Sequence, residues 1–188
     1  NDFSFASNMC VKMWNASRNL IDGNNLSWGL RIKPGEVHAR DSAGLLMDSG
    51  CDYNRVCNND ITHGGDGIFI RALNGWQSCH NLFVNNDCSY ANNNAIEAWS
   101  NHNTYIRNKA NDSSYGFWLG GSDFTLLYEN EACRNGIRFA NAPEFFGTCG
   151  IAVAGSGNHF RVIGNKICDN RGPGIAVRNT VSAPVFHW

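Results

Sequence analysis

Short alternations of apolar and polar residues, most of them opened by glycine, recur along the chain. They are Val11-Lys-Met13, Gly29-Leu-Arg-Ile32, Gly67-Ile-Phe-Ile70, Ala95-Ile-Glu-Ala98, Gly116-Phe-Trp-Leu119, Gly150-Ile-Ala-Val153 and Gly174-Ile-Ala-Val177. A period of two over so few residues predicts short strands, and no helical segment of useful length competes. Between these strands runs a second pattern, built on asparagine. Asn19-Leu-Ile-Asp-Gly-Asn24, Asn54-Arg-Val-Cys-Asn-Asn59, Asn81-Leu-Phe-Val-Asn-Asn86 and Asn103-Thr-Tyr-Ile-Arg-Asn108 each open and close on Asn around an apolar residue. The frame continues, without its first Asn, at Leu127-Tyr-Glu-Asn130 and Val162-Ile-Gly-Asn165, and Asn1-Asp-Phe3 fits its end.

The closing asparagines stand at 1, 24, 59, 86, 108, 130 and 165, separated by 23, 35, 27, 22, 22 and 35 residues. A basic period near 22 with insertions describes one supersecondary unit per repeat, stacked on the next. Like strands of successive repeats then pair in parallel, and each repeat buries its inward residues on its neighbours. A buried amide at a corner needs partners, and the equivalent amide one repeat away supplies them. The prediction is an all-β solenoid of about seven coils with Asn ladders. The leucine-rich alternative lacks its dense leucine pattern.

The Asn-x-apolar-x-x-Asn-x-apolar frame, followed by the Gly-Ile-x-Ile strand, resembles the right-handed parallel β-helix proteins of the pectate-lyase-like group over nearly the whole chain. The resemblance implies that fold and an extracellular or periplasmic location. The group includes polysaccharide lyases, glycoside hydrolases, uronate epimerases, tailspikes and adhesins, so the resemblance specifies fold more than activity. The aspartate cluster of β-helix polygalacturonases and a calcium-ligand cluster like that of pectate lyases are both missing from the sequence. No cofactor and no metal site are therefore predicted; calcium stays open, with no ligand cluster in the sequence to support it.

Composition bounds the rest. The 188 residues, 43% hydrophobic and 12% aromatic, suit one folded domain over 1–188 and argue against disorder. Twenty-seven asparagines and 20 glycines suit a chain with many tight corners. A net charge of -1 gives no reason to expect nucleic acid or an anionic membrane as partner, and no apolar run is long enough to span a bilayer. The chain starts on Asn without a signal peptide, which suggests a mature product or an excised piece of a longer chain with 181–188 as an apolar tail. Cys133 and Cys168 lie three residues after successive closing asparagines. Stacking brings such positions to about 4.8 Å, compatible with a disulfide, while Cys88 belongs to the core.

Alternation turns one stripe of side chains outward: Lys12, Arg31, Phe69, Glu97, Trp118, Ala152 and Ala176. A second outward column holds Trp14, Lys33, Arg71, Trp99, Gly120 and Arg178. Aromatic faces stack on sugar rings and cations bind uronate carboxylates, so this wall suits a polysaccharide. Phe69, Arg71, Trp99, Trp118, Trp14 and Lys33 are the candidate substrate-binding residues. A lyase or epimerase would move protons with Lys12 and Arg31, expected as stacked neighbours. A hydrolase would need two carboxylates, and Glu97 with Asp66 one coil away is the available pair.

Insertions from Pro34 to Gly50 (Glu36, His38, Arg40, Asp41), at His63–Asp66 and at Phe139–Thr148 flank this face. His80, His102 and His159 share a column interrupted by Phe124, and read as corner residues that hydrogen-bond locally rather than as metal ligands. A second face bearing Leu82, Val84, Ile106, Leu126, Tyr128 and Ile163 is expected to meet covering loops, a neighbouring domain or a second copy. A structural or adhesive protein that self-associates is the rival to an enzyme.

Overall fold

The structure, a computed structural model, describes residues 1–31, 42–140, 148–155 and 158–179. Among the described residues there are strands and turns and no helix. Seven strands form the first sheet in chain order: β1 (Met9–Trp14), β3 (Ala43–Asp48), β5 (Asp66–Arg71), β7 (Asn94–Ala98), β9 (Tyr115–Gly120), β12 (Ile151–Gly155) and β15 (Ile175–Asn179). A second sheet of six contains β2 (Leu20–Asp22), β4 (Arg55–Cys57), β6 (Leu82–Val84), β8 (Thr104–Ile106), β10 (Leu126–Tyr128) and β13 (Arg161–Ile163). A third pairs β11 (Glu131–Cys133) with β14 (Lys166–Cys168), and single parallel bridges extend it from Asp2 through Asn25, Asp60, Asp87 and Lys109 to Glu131. The strand pairs of all three sheets are parallel.

Matching positions fill one core. Leu45 and Met47 of β3, Ile68 and Ile70 of β5, Ile96 and Ala98 of β7, and Phe117 and Leu119 of β9 are fully buried. Val56, Phe83, Tyr105 and Leu127 meet them from the second sheet, where Phe83 and Tyr105 stack at 5.0 Å. The glycine that opens most first-sheet strands has a steric reason. A Cβ at Gly116 would lie 2.4 Å from the Gly150 carbonyl oxygen, and one at Gly67 2.4 Å from that of Ala95.

The second strand of the seven-stranded sheet, β3, departs from the sequence reading. It is Ala43–Asp48, which that reading placed inside the Pro34–Gly50 insertion, and not Gly29–Ile32. Gly44-Leu-Leu-Met47 carries the same glycine-led alternation, and Leu45 and Met47 supply the core layer between β1 and β5. Gly29 instead sits in a close approach, where a Cβ would meet the Ala43 carbonyl oxygen at 2.2 Å. Residues 32–41, including Glu36, His38, Arg40 and Asp41, lie outside the described residues.

The frame asparagines bond to one another. Asn1, Asn24, Asn59, Asn86, Asn108 and Asn130 each donate a side-chain N–H to the amide oxygen of the next asparagine, ending at Asn165, over 2.9–3.1 Å. From Asn24 onward that oxygen also accepts the backbone N–H of the preceding asparagine. From Asn59 onward the second amide hydrogen goes back to a carbonyl of the previous repeat, as from Asn108 to Phe83 at 3.0 Å. A second row joins Asn19, Asn54, Asn81 and Asn103 in the same way. The residue before each closing asparagine turns the corner with positive φ: Gly23, Asn58, Asn85, Arg107, Glu129 and Gly164. Only glycine takes that conformation freely, and Asn tolerates it better than most.

Asn108 is fully buried within this row. Its replacement by Leu leaves the Phe83 carbonyl and the Asn86 amide unpaired, at roughly 1–3 kcal/mol for each group. Asn108→Leu is therefore expected to lower the melting temperature by about 4–24 °C. Differential scanning calorimetry checks this, and an unchanged melting temperature contradicts the row's role.

Candidate functional site

The outer face of the seven-stranded sheet carries most of the residues predicted to bind or react. In register across it run Lys12, Leu46, Phe69, Glu97, Trp118, Ala152 and Ala176. The adjacent column aligns Trp14, Asp48 and Arg71. Further along that column Gly120, Ala154 and Arg178 align. Trp14 is exposed, Phe69 and Trp118 are half-buried, and Leu46 and Ala152 are fully covered. Trp118 packs edge-on against Tyr115 at 5.0 Å, in a small apolar cluster with Cys149, Ala152 and Ala176. Part of its surface is therefore spent on packing.

Arg31 does not join this face. Leu46 takes the position beside Lys12 that the sequence reading gave to Arg31, because the true strand begins after Ser42. Arg31 lies outside any strand, with its backbone N–H on Ser42 Oγ at 2.7 Å. Lys33 lies outside the described residues. Lys12 and Arg71 instead share Asp48, a fully buried residue that the sequence reading missed. Arg71 grips it with two bonds, Nε to Oδ1 at 2.7 Å and Nη2 to Oδ2 at 2.9 Å, and Lys12 Nζ stands 3.7 Å away. The same cations lie over rings, Lys12 at 5.3 Å from Trp14 and Arg71 at 5.8 Å from Phe69. Asp48 was legible as the polar end of the Gly44-Leu-Leu-Met47 alternation.

Asp66 opens β5 and Glu97 lies on the adjacent strand β7, and Asn94 bonds to both. Both are nearly fully buried. Asp66 Oδ1 accepts from the Asn94 backbone N–H at 2.9 Å and from Asn93 Nδ2 at 3.0 Å. Glu97 accepts from Asn94 Nδ2 at 2.5 Å and from Trp99 Nε1 at 2.7 Å. Gly120 gives Trp99 its place, since a Cβ there would fall 2.2 Å from the indole. Among the described residues no cation pairs with either carboxylate. Burial pushes the Asp66 carboxyl well above the usual range, and the neighbouring charge of Glu97 adds to it. Burial also raises Glu97, opposed by the bonds from Trp99 and Asn94. Beside them, Asn93 Oδ1 and Asn94 Oδ1 are buried acceptors without a donor. A protonated carboxyl carries the kind of donor they lack.

Elsewhere the described residues show no group of three His, Cys, Asp or Glu placed to hold a metal ion. His80, His102 and His159 are corner residues with positive φ, but ring stacking holds them rather than local side-chain hydrogen bonds. The column runs Tyr53, His80, His102, Phe124, His159 with ring centroids 4.5–5.0 Å apart. A parallel column stacks Phe5, Trp28, His63 and Tyr90. Cys133 and Cys168 form a disulfide between neighbouring repeats, and Cys88 is core. On the second sheet, Leu82, Val84, Ile106, Leu126 and Tyr128 are half-buried and Ile163 is exposed. The chain matches no protein-family model, and no match to a curated protein is significant.

The buried acids fix the sign of a pH effect. A carboxyl raised in the folded state is protonated in both states below its unfolded value. Above that value the unfolded chain ionises first, and stability falls as pH rises toward the folded value. Asp66→Asn keeps the acceptor and removes the acid. It is expected to stabilise the protein at pH 7 by about 1.4 kcal/mol for each pH unit by which folding lifts Asp66, with the gain vanishing below the ordinary carboxylate value. Urea denaturation from pH 3 to 8 measures it. Equal stability of both proteins at every pH contradicts a raised Asp66.

Proposed function

We propose that the chain is a right-handed parallel β-helix of about seven coils, stacked through Asn ladders as in the pectate-lyase-like group, and that it cleaves an extracellular polysaccharide by hydrolysis. Three parallel sheets in repeat order and the row of bonded amides support the fold. The observation that carries the activity is the Asp66–Glu97 pair: two buried acids that both bond to Asn94, flanked by Trp99, Phe69 and Trp118.

Asp66 holds the proton and gives it to the glycosidic oxygen as the C–O bond breaks. Water forms the new bond at the sugar carbon, and Glu97 takes the proton released. Lyase or epimerase chemistry is less well served. It needs cations aimed at a uronate, and Lys12 and Arg71 are already directed at Asp48 while Arg31 is off the face. The Cys133–Cys168 disulfide supports an extracellular or periplasmic setting.

A self-associating structural role is the second reading. It rests on the edge strand β15, where Ile175 and Val177 are 44% and 68% exposed while their partners Ile151 and Val153 are covered. Light scattering that finds only monomer at high concentration argues against it.

The hydrolytic reading predicts new reducing ends from at least one polysaccharide in a panel of neutral and uronate polymers. Asp66→Asn and Glu97→Gln are each expected to reduce this release at least a hundredfold without loss of folding. No release from any polymer, or unimpaired release by both variants, sinks the reading.

A further inference from the structure

We propose that the cavity between Trp14 and Trp76 is a subsite for a single pyranose ring, set apart from the Asp66–Glu97 centre. The cavity measures about 170 Å³ and is lined by Trp14, Asn15, Ser49, Asn74 and Trp76. Both indoles are exposed, Trp14 by 54% and Trp76 by 66%. Large aromatic side chains held in water on both sides of one cavity mark a place that something else covers.

The cavity is built before any ligand arrives. Trp14 ends β1, and Asn15 turns the chain away with φ 46°. Trp76 stands on a tight antiparallel turn, in which Asn74 and Gly75 have φ 56° and 77° and the Trp76 N–H bonds the Leu73 carbonyl at 3.1 Å. Two successive positive φ values are the mark of the turn that best matches strand twist. Ser49 Oγ donates to the same Leu73 carbonyl at 3.2 Å, tying the turn to the end of β3. Gly50 keeps the floor low: a Cβ there would reach Asn15 Oδ1 at 3.3 Å and the Trp76 ring at 3.8 Å.

The lining selects the ligand class. Among the described residues it has two flat apolar faces, two side-chain amides and a hydroxyl, with no charged side chain. The amides of Asn15 and Asn74 make no side-chain hydrogen bond among the described residues. A pyranose offers an apolar C–H face for an indole and a rim of hydroxyls for amides, which matches this set. The cavity adjoins the column of Trp14, Asp48 and Arg71, so a bound ring lies beside the proposed polysaccharide groove. Lys12, over the Trp14 ring, is the nearby cation that would separate an acidic ring from a neutral one. This subsite rests on the polysaccharide reading but not on hydrolysis.

Titrations of the whole chain with cellohexaose and with a hexameric oligogalacturonate, followed by indole N–H NMR and calorimetry, test it. The Trp14 and Trp76 indole signals are expected to shift with at least one of the two. Trp76→Ala and Trp14→Ala are each expected to weaken that binding at least tenfold, with melting temperatures within a few degrees of the parent. Lys12→Met weakens the uronate arm alone if the ring is acidic and neither arm if it is neutral. Absence of binding to both probes overturns the proposal, as does binding that both tryptophan variants retain. Polysaccharide cleavage with unaltered binding in Trp76→Ala overturns the subsite and leaves the hydrolase standing. Trp76-dependent binding without cleavage does the reverse.

Discussion

The fold depends on one interaction, the hydrogen bond between side-chain amides of successive asparagines. A chain that bends sharply inside its own core must leave backbone groups there without strand partners, and each unpaired group is costly. The asparagine after each corner answers several of these needs at once. In Asn86 the oxygen accepts from Asn59 twice, and the two hydrogens reach Asn108 and the Val56 carbonyl. A corner residue with positive φ then becomes tolerable even when it is Arg107 or Glu129, because the bonds on either side leave the chain no other course. Stacked rings at the other corners act from the outside in the same way.

Because the corners are fixed, the strands between them hold register, and Asn94 on β7 bonds to both acids. The same outer face treats its carboxylates in two ways. Asp48 is buried against the Arg71 fork with Lys12 nearby, so its cost of desolvation is met by opposite charge. Asp66 and Glu97 are nearly as deeply buried and have amide, indole and backbone donors but, among the described residues, no cation. Burial without a countercharge favours the protonated form and raises the carboxyl above its ordinary range. Chemistry that needs a proton donor and an acceptor side by side is the natural use of such a pair.

Much of this was legible in the sequence because amide-to-amide bonding demands the same residue at the same place in every repeat. Asn24, Asn59, Asn86 and Asn108 therefore announce themselves, and the alternation after each one sorts inward from outward. Register alone puts Glu97 opposite Phe69, with Asp66 three residues earlier on the same strand. Where an insertion stretches the repeat to 35 residues, two glycine-led segments competed, and the choice of Gly29 over Gly44 misplaced Arg31 and hid Asp48. Asn93, Asn94 and the Trp99–Glu97 bond were not legible, since they depend on side-chain rotamers and on burial. Trp76 sits on a turn outside the frame, and no periodicity points to it.

The protonation state of Asp66 is the most direct test of the central claim. Carbon-13 NMR of the aspartate carboxyl, assigned by Asp66→Asn and followed from pH 3 to 9, reads it without reference to any substrate. The account predicts an Asp66 signal that stays in its protonated position well above the ordinary carboxylate range. An Asp66 that titrates near 3.8 like a surface carboxylate contradicts it.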